Sequence, residues 1–155
     1  MKKLHVDIAR CTGCRSCEIA CALEHSKSKD IIQAIFESPL PRTRINIVGA
    51  PKKFYPLVCR RCEEPRCVDA CIAGALVKEK DEIIFREERC VGCHSCILAC
   101  PYSSISQRKD YSKVALCDLC KERETGKRAC EEACPTRCVF YGEDKEFMEI
   151  INEPR

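Results

Sequence analysis

An α+β fold of small antiparallel strands and short helices, arranged as two pseudo-symmetric halves, is predicted by three features of this chain. Seventeen of its 155 residues are cysteine. Sixteen of them fall into four groups of four: Cys11, Cys14, Cys17 and Cys21; Cys59, Cys62, Cys67 and Cys71; Cys90, Cys93, Cys96 and Cys100; and Cys117, Cys120, Cys130 and Cys134. The first group maps onto the third at one constant offset, and the two loops also share Gly13 with Gly92 and Ser16 with Ser95. Each of these groups follows a short alternating segment and precedes a helix-like stretch, which makes the repeat a structural one.

Taken in order, residues 4–8 alternate as a strand and residues 17–23 read as a helix. Residues 24–53 carry no cysteine and hold Pro39, Pro41 and Pro51, so a loop with one strand at 45–48 is expected there. Residues 54–58 form a strand leading into Cys59, with a return strand at 75–78. Residues 83–86 and 96–100 repeat the opening strand and helix. A strand at 113–116 leads into Cys117, and Val139–Gly142 returns from it. Asp144–Asn152 is predicted as a C-terminal helix with Phe147, Ile150 and Ile151 on one face. The expected organisation is one domain over 1–155. One half is built from 1–24 with 108–142 and the other from 54–107, with a connecting insertion at 25–53 and the helix at 144–152.

The chemistry lies in the spacing. The first and third groups read C-x2-C-x2-C-x3-C, the pattern by which bacterial-type ferredoxins hold [4Fe–4S] cubanes. Three cysteines two residues apart wrap one corner of a cube, and the loop N–H groups then face the sulfides and tune the potential. Gly13 and Gly92 relieve strain in those loops. The fourth cysteine, one helical turn later, serves the neighbouring cluster. Pro101 and Pro135 turn the chain away directly after the last cysteines of their groups. The halves are therefore bacterial-ferredoxin-like and enclose four cubane clusters. Two rivals compete for cysteines this dense. Disulfides suit small secreted chains, but cysteines two apart pair poorly with one another. Zinc is bound by C-x2-C pairs, yet it draws two ligands from each of two separated pairs rather than runs of three.

Composition narrows the function classes. The chain has no Trp and 6% aromatic residues, so metal–thiolate bonds must supply much of its stability. The formal charge of +3 describes the empty chain only. Sixteen thiolates and four oxidised cubane cores bring the loaded protein to about −5, which removes the case for a nucleic-acid partner. No apolar run reaches the ~18 residues of a membrane span. Met1 runs into Lys2 and Lys3 with no signal region or twin-arginine leader, and a cytoplasmic, reducing location is expected. No nucleophile–base pair, phosphate-cradling loop or open-site metal set is present, so no catalytic site of its own is expected. Cys138, the odd cysteine, reads as a small buried residue beside the first cluster. His94 reads as a solvated loop residue, and His5 and His25 as surface or strand histidines. The basic stretch 121–128 reads as a solvated loop or a docking face for an acidic partner.

These motifs carry a resemblance. Cys-Thr-Gly-Cys at 11–14, C-x2-C-x4-C-x3-C at 59–71, Cys-Val-Gly-Cys at 90–93, Cys-Asp-Leu-Cys at 117–120 and Cys-Pro-Thr at 134–136 resemble the four-cluster electron-transfer subunits of the dimethyl sulfoxide reductase family. The same module serves formate dehydrogenases, formate hydrogenlyase, carbon monoxide dehydrogenase-linked hydrogenases and some tungsten aldehyde oxidoreductases. The resemblance implies four ligand sets: Cys11, Cys14, Cys17 and Cys134; Cys21, Cys117, Cys120 and Cys130; Cys59, Cys62, Cys67 and Cys100; and Cys71, Cys90, Cys93 and Cys96. It also implies single-electron relay between a catalytic oxidoreductase subunit and ferredoxin or another carrier. A molybdenum- or tungsten-pterin enzyme acting on formate or aldehydes is the favoured partner, with carbon monoxide dehydrogenase or a hydrogenase as the alternative. A free-standing polyferredoxin shuttle and a zinc-binding interaction module are the other readings.

Overall fold

A computed structural model describes residues 2–51, 53–80, 82–108, 110 and 112–152. Strand β1 (Lys3–Val6) enters a 3-10 turn at Ile8–Arg10, capped by the Asp7 carboxylate on the Ala9 N–H. The first cysteine loop then leads into helix α1 (Ser16–Glu24). A short helix α2 (Ile31–Ala34) and strands β2 (Asn46–Ala50) and β3 (Lys53–Leu57) follow. Next come α3 (Arg66–Asp69), β4 (Leu76–Glu79), β5 (Glu82–Phe85) and α4 (Ser95–Ala99). The chain closes with β6 (Ser106–Gln107), β7 (Val114–Ala115), α5 (Ala129–Glu132), β8 (Val139–Gly142) and α6 (Asp144–Asn152).

Every sheet among the described residues is an antiparallel pair. β2 pairs β3, β4 pairs β5 and β6 pairs β7, all close in sequence. β1 instead pairs β8 across almost the whole chain, in the register Lys3 to Gly142 and Val6 to Val139. Two-stranded ribbons this short are not stable alone. They hold here because each contributes an apolar side chain to one cluster: Leu4, Ile47, Leu76, Ile83, Val114 and Val139 are all buried. Nine of the twenty residues in that cluster are cysteines, so the core and the metal-binding chemistry occupy the same volume.

The sequence reading placed one strand in the cysteine-free segment, whereas the structure has α2 there as well. Its signal is Asp30, whose carboxylate accepts the N–H groups of Ile32 and Gln33 at 3.0 and 2.9 Å as a helix N-cap. The strand expected at 113–116 is reduced to Val114–Ala115. His5 lies on a strand but not at the surface. It is buried, bonds the Gly142 carbonyl through Nε2 at 3.1 Å, and stacks 4.7 Å from the Phe147 ring of α6. Lys3 to Asp144, at 2.9 Å, and Arg10 to the Ile150 carbonyl, at 2.9 Å, tie the same helix down.

Candidate metal centres

Local backbone form is set by left-handed residues at repeated positions. In the first loop Gly13 has φ +71° and Arg15 φ +62°; in the third, Gly92 has φ +69° and His94 φ +60°. Residues in this region turn successive N–H groups toward a common concavity, the backbone arrangement that receives anions. A Cβ on Gly13 would meet the Phe54 ring at 2.5 Å, so that glycine is required by space as well as by φ. In both loops the middle thiol is exposed and takes hydrogen bonds from the following serine, Ser16 for Cys14 and Ser95 for Cys93, which lower its pKa. His94 caps α4 and is half-buried, its ring facing the Gln107 amide at 3.2 Å.

The buried thiols oppose one another's ionisation, some of them across long stretches of the chain. Burial pushes Cys17 up to about 12, and the charges of Cys134 and Cys14 add to it. Burial also raises Cys130, reinforced by Cys117, Cys21, Cys120 and Cys17. Cys67 reaches about 12 through burial and the charges of Cys59, Cys100 and Cys62. Cys96 reaches about 11 through burial and the charges of Cys71, Cys90 and Cys93. Cys59, Cys62, Cys67 and Cys100 line a cavity of about 290 Å³ walled by Ile83, Ile105 and Leu116. Cys71, Cys90, Cys93 and Cys96 line a smaller one of about 20 Å³. Thiols that oppose one another's ionisation are relieved when a cation binds all of them, and this donor chemistry fits iron–sulfur ligation.

A buried cation supports the same fit. Arg61 is 2% exposed; its guanidinium bonds the carbonyls of Ile83, at 2.7 Å, and Cys117, at 2.8 Å, while its Nε has no partner among the described residues. Among the described residues no carboxylate bonds it. Glu82, whose carboxyl senses its charge, is engaged by Lys121 instead. A buried charge answered only by carbonyls is costly unless an anion lies close by, and Cys59 and Cys117 both sense Arg61.

Around Cys21 the environment is built from distant residues. The Cys21 Sγ accepts the Arg44 N–H at 3.2 Å. His25 donates Nδ1–H to the Cys21 carbonyl at 2.6 Å, and its Nε2–H faces Asp118 at 3.1 Å. The other Asp118 oxygen meets the Arg44 guanidinium. Burial alone would raise Cys21, but the bond and charge of His25 bring its thiol below the ordinary value. His25 is opposed by burial yet held up to about 9 by Asp118 and Cys21, and Asp118 is held far below the carboxylate range. His25, Asp118 and Cys120 approach closely enough to suggest a fifth metal site. His25 donates on both nitrogens, however, so the trio is a hydrogen-bond network. The sequence reads His25 as a surface or strand histidine, whereas it follows α1, is half-buried and meets the distant Asp118, a partner only the fold supplies.

Cys138 is buried, with its Sγ 3.4 Å from that of Cys134 and its N–H on the Cys134 sulfur at 3.2 Å. The basic stretch 121–128 is less available for docking than its composition suggested. Lys121 engages Glu82, and Arg123 engages Glu24 and Glu132. Arg128 lies 4.0 Å over the Tyr141 ring. Among the described residues no helix is long and apolar enough to cross a membrane.

Residues 51–144 match the 4Fe-4S dicluster domain family, and residues 8–23 match a 4Fe-4S binding domain. The electron transport protein HydN of Escherichia coli (strain K12) is 32% identical over 96% of this chain and 92% of its own length. The iron-sulfur subunit of the nitrate-inducible formate dehydrogenase of the same organism is 30% identical over 96% of this chain, which spans 56% of that relative. In fold, the chain resembles a structure of the active site complex BamBC of benzoyl coenzyme A reductase, with a TM-score of 0.52 at 21% identity, covering 99% of this chain and 87% of the other. The cofactors are four [4Fe–4S] clusters, and seventeen cysteines are present in the chain. With its matched residues and its full-length relatives in agreement, the chain belongs to the 4Fe-4S dicluster domain family of ferredoxin-type electron-transfer proteins.

Proposed function

We propose that this chain is the electron-relay subunit of a larger oxidoreductase, without a catalytic site of its own and cytoplasmic. It holds four clusters in the ligand sets Cys11/Cys14/Cys17/Cys134, Cys21/Cys117/Cys120/Cys130, Cys59/Cys62/Cys67/Cys100 and Cys71/Cys90/Cys93/Cys96. The observation that carries this reading is the cavity of about 290 Å³ lined by Cys59, Cys62, Cys67 and Cys100, which brings Cys100 to a group distant in sequence; in the same way the charge of Cys134 bears on Cys17. Two ferredoxin-like halves, 1–24 with 108–142 and 54–107, carry these sets. Each bound cluster supplies one-electron chemistry without bond making. The protein's own residues exclude water from the inner thiols, supply N–H and hydroxyl donors, and present Cys14 and Cys93 at the surface.

The favoured partner is a molybdenum- or tungsten-pterin enzyme of formate or aldehydes, with ferredoxin or another carrier at the opposite end. The formate dehydrogenase relative supports this partner, and a carbon monoxide dehydrogenase or hydrogenase is the alternative. The HydN relative, of nearly the same length and described as an electron transport protein, favours a second reading as a separate carrier. Anaerobic purification with iron and sulfide analysis tests both. About 16 irons and 16 sulfides per chain are expected, together with a co-purifying catalytic subunit. Zinc without sulfide overturns the relay, and a loaded protein that runs alone on gel filtration favours the carrier.

A further inference from the structure

Arg61 occupies a position its backbone does not demand. It sits third in Cys59-Arg60-Arg61-Cys62 with φ +51°, and Leu119 sits third in Cys117-Asp118-Leu119-Cys120 with φ +64°. Both are buried, at 2% and 5% exposure. An apolar side chain therefore serves this loop geometry, and a left-handed non-glycine residue already carries a backbone cost. Burying a guanidinium there as well adds a desolvation penalty that two carbonyl bonds do not cancel. Besides Glu82, which Lys121 engages, the groups that sense its charge are thiols of two different sets. The Arg61 N–H bonds Cys59, its guanidinium reaches the Cys117 carbonyl at 2.8 Å, and Cys117 in turn senses Cys59.

We propose that Arg61 is a positioning residue for electron relay, placing one permanent positive charge between the cluster of Cys59, Cys62, Cys67 and Cys100 and that of Cys21, Cys117, Cys120 and Cys130. The inference rests on the ligand sets proposed above. With clusters bound in these two sets, an electron passing between them would oxidise one and reduce the other with no bond changed. A cation shared by both favours the reduced form of each, so it raises both potentials. Arginine suits the role because it cannot lose its proton in a protein interior.

The test is an electron-spin-resonance redox titration of the loaded protein and its Arg61→Gln and Arg61→Lys variants, with iron counted in each. In Arg61→Gln at full iron content, two of the four midpoint potentials move negative and two stay in place. In Arg61→Lys, which keeps the charge, most of that shift is reversed. A purely structural tie between the Ile83 and Cys117 carbonyls predicts a loss of stability with all four potentials unmoved, and that result at full iron overturns the proposal. If Arg61→Gln loses iron, Arg61→Met, which fills similar space without polar atoms, gives the same reading. Fewer than about 16 irons in the parent protein indicts the ligand sets instead, so the two failures are distinguishable.

Discussion

The loops at Cys59–Cys62 and Cys117–Cys120 share a left-handed third residue and carry opposite charges. In each, the third residue is left-handed and its N–H bonds the first thiol, Arg61 to Cys59 and Leu119 to Cys117. The side chains then diverge. The first loop carries Arg60 and Arg61, and its buried cation is its own. The second carries Asp118 and Leu119, and its acid collects His25 and Arg44 from elsewhere in the chain. Both routes bring positive charge to thiols that become more anionic on loading. Backbone geometry is thus a property of the C-x2-C motif, while the local field is chosen separately by the residues between the cysteines.

The largest effects come from breaking the loops themselves. Cys59→Ser and Cys117→Ser are each expected to lose about four irons from spectroscopically different clusters. Cys100→Ser should reproduce the first loss and Cys21→Ser the second. Matching signatures for Cys59→Ser and Cys117→Ser, measured by spin resonance, would contradict the separation of the two loops into different sets.

A smaller contrast comes from the charges. Asp118→Asn leaves His25 and Arg44 without their shared carboxylate, and a loss of about 1 kcal/mol is expected because Asp118 is partly exposed and screened. Arg60→Gln, at the neighbouring position of the other loop, removes only an exposed side chain 5.7 Å from the Tyr102 ring. It should cost less than about 0.5 kcal/mol. Thermal unfolding under anaerobic conditions orders the two, and equal losses would remove the distinction between a recruited charge and a solvated one.

His25 adds a pH signature to the Asp118 loop alone. Its folded pKa of about 9 lies above the free value of 6.5, so its stabilising bonds are complete below about 6.5 and are lost as pH rises through about 9. The difference in thermal midpoint between the parent protein and His25→Gln should therefore shrink as pH is raised across that window. A difference that stays constant would show that the ring acts by packing.

The smallest expected effect is at Cys138, which stands four residues after Cys134 as Ala75 stands after Cys71. Both positions are buried. Cys138→Ala makes the fourth group copy the second and should leave iron content unchanged, whereas loss of about four irons would make Cys138 a ligand.

Much of the local structure was legible in the chain because its signals are short-range. Cysteines two residues apart with Gly13 or Gly92 between them dictate a tight loop, and the alternating residues before Cys11 and Cys90 dictate short strands. Helix α2 was missed although Asp30 signalled it, because four residues of helix leave no periodic trace. The proposed pairing of the cysteine groups came only through resemblance, since no pattern within residues 11–21 points to Cys134. By itself the sequence determined the metal chemistry, the number of cysteine groups and the form of each loop, all consequences of covalent spacing. Only the tertiary structure decided that β1 pairs β8, that Arg61 lies buried against Cys117, and that His25, Arg44 and Asp118 close around Cys21. Those contacts join residues far apart in the chain, where packing against a shared core, rather than any local preference, selects the neighbour.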